Sequence, residues 1–264
     1  MVSRDFQALA ARRADRARKL AARYPASAEP LLFFAEISSL QREISASLKA
    51  TPAGLDEALD ALAGGRRPLV ELVEARGPQR LGDEARRYDE TACRESLRAY
   101  IPRDDITSPR SFFARVLLQP AMFTWDARTF EPPAFTQAAP AAVDRASRCP
   151  RCGHSPQVGC LRPQGDGAAL ALVCSLCLHE WPFARPRCPG CGENDHHKIA
   201  FCSSSEFAHL DVQVCESCKA YLHMVHLEKE AEAVPDVDEL AALPLDVWAQ
   251  EKGYLKIQPN LAGI

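Results

Sequence analysis

The sequence predicts an α+β protein: a helical N-terminal domain, then tandem rubredoxin-like or zinc-ribbon β-hairpin modules, then a C-terminal helical segment. Three observations predict it. Apolar residues over the first 125 positions recur with a period near 3.6, the period of a helix with one buried face. Ten of the eleven cysteines lie between 149 and 218. Within that window the pattern changes to short alternating runs broken by Gly and Pro, and after it the helical pattern returns.

The N-terminal domain is predicted over 1–125. In EPLLFFAEISSLQREISASLK, residues Leu31, Phe34, Ile37, Leu40 or Gln41, Ile44 and Leu48 share one face. Shorter helices are expected at GLDEALDALA, closed by Gly64 and Gly65, and at PLVELVEA, opened by Pro68. A longer one is expected from about Pro78 to Tyr100, and another at SPRSFFARVLLQP behind Ser108 and Pro109. The seven basic residues among the first 24 are read as the solvated face of an amphipathic helix, with Arg12, Arg13 and Arg16 as the contact if an acidic partner docks there. Residues 126–148 are rich in Pro and Ala and predict a linker. A first metal module is expected over 149–185, a second over 186–226, and a helical segment over 227–264, with Pro244 as a break and Gly253 as a stop.

Four CxxC pairs stand in this window: Cys149/Cys152, Cys174/Cys177, Cys188/Cys191 and Cys215/Cys218. They form two pairs of pairs. Each unit opens with CPxCG and closes with a second CxxC, after 21 intervening residues in the first unit and 23 in the second. Such self-similarity reads as an internal duplication. A tight turn between two cysteines lets both sulfurs face one tetrahedral centre while turn N–H groups point at them, and glycine after the second cysteine relieves the backbone. Two such turns brought together by a hairpin supply four sulfurs at about 2.3 Å from a metal. The hairpins are expected at QVGCLRP with AALALVC, turning at QGDG, and at HKIAFCSS with HLDVQVC, turning near SEFA. A dithiol oxidoreductase is disfavoured because no βαβ pattern flanks any pair. The spacing suits zinc and mononuclear iron alike.

Cys160 and Cys202 occupy similar places in the two units and are read as strand hydrophobes rather than a redox pair; Cys93 is read as helix packing. With eight cysteines completing two sets, His154, His179, His196 and His197 are read as surface or supporting groups and not as ligands. Trp181, Phe183 and Trp248 are read as packing.

Charge separates the function classes. The net charge is −3, and residues 148–218 carry six basic and seven acidic side chains. Two tetrathiolate centres holding divalent ions would each add −2, giving about −5 for the module. A zinc-ribbon nucleic-acid binder, one alternative reading, needs a basic stripe to neutralise phosphates and finds none here. Rubredoxin-like electron transfer is the other, open to iron and closed to zinc. No secretory signal and no apolar run of membrane-spanning length is legible, so a cytoplasmic protein without membrane insertion is expected. No catalytic constellation stands out, and no enzyme is predicted.

The chain resembles the FdhE family of formate dehydrogenase accessory proteins. The four CxxC pairs in their order and spacing carry the likeness, with FFARVLLQP in the helical region, CSLCLHEWPF between knuckles and LPLDVWAQEKGY in the closing helix. The resemblance implies two mononuclear tetrathiolate metal ions, iron in preference to zinc, held by Cys149, Cys152, Cys174, Cys177, Cys188, Cys191, Cys215 and Cys218. It also implies a cytoplasmic, non-catalytic assembly factor that binds the formate dehydrogenase catalytic subunit before export. Oligomeric state and the partner-facing surface are not written in these motifs.

Overall fold

The apolar stripes of the N-terminal half fold as helices. The computed structural model describes residues 5–48, 51–102, 108–125, 145–261 and 263. Among these, seven helices precede the sheet: α1 (Phe6–Arg23), α2 (Ala28–Ser47), α3 (Leu55–Ala63), α4 (Arg66–Arg76), α5 (Gln79–Ala85), α6 (Glu90–Tyr100) and α7 (Arg110–Thr124). The chain divides into two units, one of Met1–Asp15, Leu32–Gln137 and Gly263, the other of Arg16–Leu31, Ala138–Ala262 and Ile264.

In the first unit Leu59, Leu62, Leu69, Val73, Leu97, Phe113 and Leu117 are fully buried, as the helical period requires. On α2 both Leu40 and Gln41 are buried. The reason Gln41 goes inside lies in α7. Pro120 has no N–H, so the carbonyl of Val116 one turn earlier loses its helical donor. Gln41 Nε2 supplies one instead, donating to Val116 O at 2.9 Å. The buried Arg13 guanidinium then donates to Gln41 Oε1 at 2.8 Å. The stretch from Pro78 to Tyr100 differs from the single helix expected of it. Asp89 stops and restarts the chain there: it is an N-cap whose side chain accepts the N–H of Ala92 at 2.8 Å, so α5 and α6 are separate.

The basic N-terminus is also less solvated than its composition suggests. Arg12 is exposed, but Arg13 and Arg16 are buried. Within the second unit, Arg16 grips Asp238 with Nη2–Oδ1 at 2.5 Å and Nε–Oδ2 at 3.0 Å. A bidentate guanidinium–carboxylate pair is the usual means of burying an arginine.

The second unit is built on one seven-stranded sheet: β1 (Pro156–Gln164), β2 (Gly167–Cys174), β3 (Glu180–Pro182), β4 (Ile199–Ser203), β5 (Leu210–Cys215), β6 (Ala220–His226) and β7 (Leu255–Lys256). The strand order is β3-β2-β1-β6-β5-β4, with β7 also on β6. β1 and β2 turn at Gly165 and Asp166, Gly165 adopting the positive φ of +55° that a two-residue hairpin demands. Each hairpin gains a third antiparallel strand, β3 on β2 and β6 on β5. The two three-stranded pieces join by parallel pairing of β1 with β6, where Gly159 faces Met224. A Cβ on Gly159 would lie 2.2 Å from Met224 Sδ, so the close approach of these strands needs glycine.

Two helices follow, α8 (Pro235–Ala241) and α9 (Leu243–Glu251). They break at Ala242, with Pro244 in the first turn of α9, and the chain turns at Gly253 with φ +83°. The Pro- and Ala-rich stretch 126–148 lies outside the described residues as far as 144. Among the described residues no helix is long and apolar enough to cross a membrane.

Candidate metal centres

Each CxxC ends in the same backbone device. The residue after the second cysteine has positive φ at all four knuckles: Gly153 (76°), Leu178 (53°), Gly192 (80°) and Lys219 (56°). Glycine takes that conformation without strain, and the two non-glycine residues take it where the turn leads straight towards the next strand. The turns close by backbone bonds: Gly153 N–H to Cys149 O, Gly192 N–H to Cys188 O and Lys219 N–H to Cys215 O, each 2.9 Å. Turn amides also point at sulfur. Leu176 and Cys177 N–H lie 3.4 Å from Cys174 Sγ, and Gly190 N–H lies 3.3 Å from Cys188 Sγ.

The folded chain brings all eight cysteines into two groups of four, Cys149/Cys152/Cys174/Cys177 and Cys188/Cys191/Cys215/Cys218, the donor sulfurs of each group lying within 4.8 Å of one another. In the first group the Cys149–Cys177 and Cys152–Cys177 separations are 3.5 Å and Cys152–Cys174 is 3.4 Å. In the second, Cys188–Cys218 is 3.7 Å and Cys191–Cys215 is 3.8 Å. Four sulfurs at about 2.3 Å from a tetrahedral ion stand about 3.8 Å apart, whereas a disulfide needs about 2.05 Å. Both groups therefore fit a tetrathiolate ion and not a pair of disulfides.

Thiol chemistry agrees. Cys149 falls far below the ordinary thiol range because Cys152, Cys174 and Cys177 hydrogen-bond to its sulfur, against the effect of burial. Its bond to Cys149 pushes Cys152 up, and burial pushes Cys174 up. In the second group burial would raise Cys215, but N–H groups of Cys218 and Ser217 outweigh it and its thiol falls. Burial pushes Cys188 up and Cys218 to about 11. A divalent cation binds cysteine sulfur as thiolate and so displaces thiol protons on binding.

The remaining sulfurs stand apart. Cys160 is buried on β1 beside Glu180, and burial pushes its thiol to about 12, which makes it a poor nucleophile. Cys202 packs against the core cluster of Val212, Val214, Tyr221 and Ala249. Cys93 is buried in α6. His154 and His179 serve the knuckles through their backbones, their carbonyls accepting Cys149 N–H at 3.0 Å and Cys174 N–H at 2.9 Å. Trp181 donates Nε1–H to Ala146 O at 3.0 Å, tying the chain just before the first knuckle to β3.

One polar constellation escaped sequence reasoning. His223, Glu239 and Asp246 are fully buried, His223 Nδ1 lying 3.4 Å from Glu239 Oε2 and Nε2 lying 3.4 Å from Asp246 Oδ1. Lys256 Nζ joins the same two oxygens at 2.6 and 2.9 Å. Tyr221 Oη donates to Asp246 Oδ1 at 2.8 Å, and Gln157 Nε2 to Glu239 Oε1 at 2.6 Å. The donors resemble a metal set, but the ammonium of Lys256 already bridges both carboxylates and offsets one of their two charges. Lys256 and His223 together hold Glu239 near pKa 2 despite its burial. The one advance signal is His223 within the buried strand AYLHMVH; its acidic partners sit in two separate helices, Glu239 in α8 and Asp246 in α9.

Known proteins match this chain from end to end. The family model "FdhE, C-terminal domain" matches residues 187–262. A protein FdhE homolog of Aquifex aeolicus is 28% identical over 201 residues, covering 74% of this chain and 68% of that protein. One of Edwardsiella ictaluri is 28% identical over 97% of this chain and 88% of its own. One of Pseudomonas aeruginosa is 39% identical over 46% of this chain, a match spanning 41% of that protein. The crystal structure of the FdhE protein from Pseudomonas aeruginosa superimposes with a TM-score of 0.68 at 26% identity, covering 98% of this chain and 97% of that one.

Proposed function

We propose that this chain, which belongs to the FdhE family, is a cytoplasmic accessory factor for formate dehydrogenase that binds the catalytic subunit before export. Its docking surface is organised by two tetrathiolate metal centres. The observation that carries the reading is the pairing of two complete four-sulfur sets on one sheet within a chain that follows an FdhE crystal structure over nearly its whole length. Cys149, Cys152, Cys174 and Cys177 would hold one ion; Cys188, Cys191, Cys215 and Cys218 would hold the other. Bound there, iron would add a one-electron couple and zinc would add rigidity alone.

What the protein itself contributes is position. The four knuckle turns fix the sulfurs, and the β1–β6 seam fixes one set relative to the other. Partner selection then depends on the surface this sheet presents, with no chemical step on the chain. Two measurements test the reading. A pull-down from cells producing formate dehydrogenase is expected to retain the catalytic subunit, and removal of the gene is expected to abolish formate oxidation; failure of both overturns the accessory role. An ultraviolet-visible spectrum of protein purified without oxygen separates the metals, since ferric tetrathiolate absorbs in the visible and zinc does not.

A further inference from the structure

The connection between knuckle and first strand differs between the two metal modules. Residues 153–155 make it in the first; residues 192–198, GENDHHK, make it in the second. The longer loop gathers Asp195, His196 and His197, whose donor atoms lie within 4.8 Å of one another. Successive side chains ordinarily diverge, yet here the imidazole rings of His196 and His197 lie against each other, with centroids 3.9 Å apart and planes tilted by 39°. Asp195 shapes the turn: its Oδ1 accepts the N–H of His197 at 3.0 Å and its carbonyl accepts that of Lys198 at 2.9 Å. Both histidines are exposed.

We propose that Asp195, His196 and His197 form a third cation site, solvent-facing and distinct from the thiol centres, for a divalent first-row metal of borderline softness. Two imidazoles and a carboxylate suit zinc, cobalt or nickel and leave the other coordination positions to water. The second thiol centre is complete with four sulfurs, so these histidines are not needed there. The buried set of His223, Glu239 and Asp246 is no competitor, because Lys256 occupies its carboxylates. This site does not depend on the accessory role proposed above.

Cobalt(II) is the probe, added to the reduced, metal-free full-length chain. Only thiolate-bound cobalt gives intense sulfur-to-metal charge-transfer absorption, so this band is expected to saturate at two equivalents while equilibrium dialysis retains a third. In the double variant His196→Ala, His197→Ala the third equivalent is expected to bind about tenfold more weakly or not at all, with the charge-transfer band unchanged. Asp195→Asn, which keeps an oxygen to accept the turn bond, is expected to weaken it less. Retention of only two equivalents by the parent chain overturns the proposal, as does an undiminished third in the double variant. A changed charge-transfer band in that variant also overturns it, because the histidines would then belong to the second thiol centre.

Discussion

The two metal modules share one plan and differ in how they protect it. All four thiols of the first are buried, whereas in the second Cys191 is only half-buried and Cys218 is exposed. The support around them differs as well. The second module leans on α9: Val212, Val214, Tyr221 and Ala249 form a core with Leu245, Trp248 and Tyr254 against it, and the Tyr221 hydroxyl donates to Asp246 in the buried charge cluster with Glu239 and Lys256. Duplicated knuckles thus keep the four-sulfur geometry, while the elements packed around each copy decide how much of its stability a bound ion would have to supply.

The largest expected effect breaks that comparison most directly. A structural tetrathiolate ion contributes on the order of 10 kcal/mol of apparent binding free energy. Cys174→Ser, in the enclosed set, is expected to abolish one equivalent of metal and the cooperative thermal transition of the sheet. Cys218→Ser is expected to lose one equivalent while the sheet still melts cooperatively. Differential scanning calorimetry with metal analysis checks both, and equal damage from the two would end the distinction.

Next in size is Lys256→Met, which removes the ammonium from two buried carboxylates and is expected to cost about 3–5 kcal/mol in denaturant unfolding. The sign of its pH dependence follows from the shifts. Glu239 is depressed from 4.5 to about 2, so its contribution is full above pH 4.5 and fades as pH falls towards 2. Lys256 is raised above 10.5, so its contribution is full below that value and is lost as pH rises through the folded pKa. The parent chain is expected to keep this stabilisation between those limits, and the variant to lack it throughout.

A smaller effect probes the seam that makes the modules one sheet. Gly159→Ala places a methyl group against Met224 and is expected to cost about 1–3 kcal/mol; the double variant with Met224→Ala is expected to recover part of that. Full additivity of the two would show that the contact does not govern the seam. The smallest concerns the surface. Arg162 and Glu180 make a bidentate pair across the first module, but Arg162 is exposed and Glu180 only half-buried, and Arg162→Ala is expected to cost less than about 1 kcal/mol. A chelator series then sharpens the ranking: the second centre is expected to release its ion first, which stopped-flow loss of metal from the two single-centre variants would measure.

The legible parts of this protein are those encoded by short-range pattern. CxxC followed by glycine twice, with a turn-prone QGDG between alternating runs, marks where sulfurs and hairpins go, and the folded sheet has its first two hairpins there. Leu31, Phe34, Ile37 and Ile44 mark the inner face of α2 in the same way. Where the reading slipped, a polar residue had a distant partner. Arg13 and Arg16 look solvated in a basic helix until Gln41 and Asp238 meet them; Gln41, an alternative to Leu40 on the inner face of α2, goes inside together with it because Pro120 leaves a carbonyl for it to satisfy.

By itself, then, the sequence determined the α+β class, the two four-cysteine sets and the FdhE likeness, because each rests on spacings within a turn, a helix or a hairpin. Only tertiary structure decided that both hairpins join in one sheet through Gly159 and Met224, that Lys256 closes over Glu239 and Asp246, and that one thiol set is sealed while the other meets solvent. Burial and long-range pairing depend on which surfaces meet, and no local pattern carries that information.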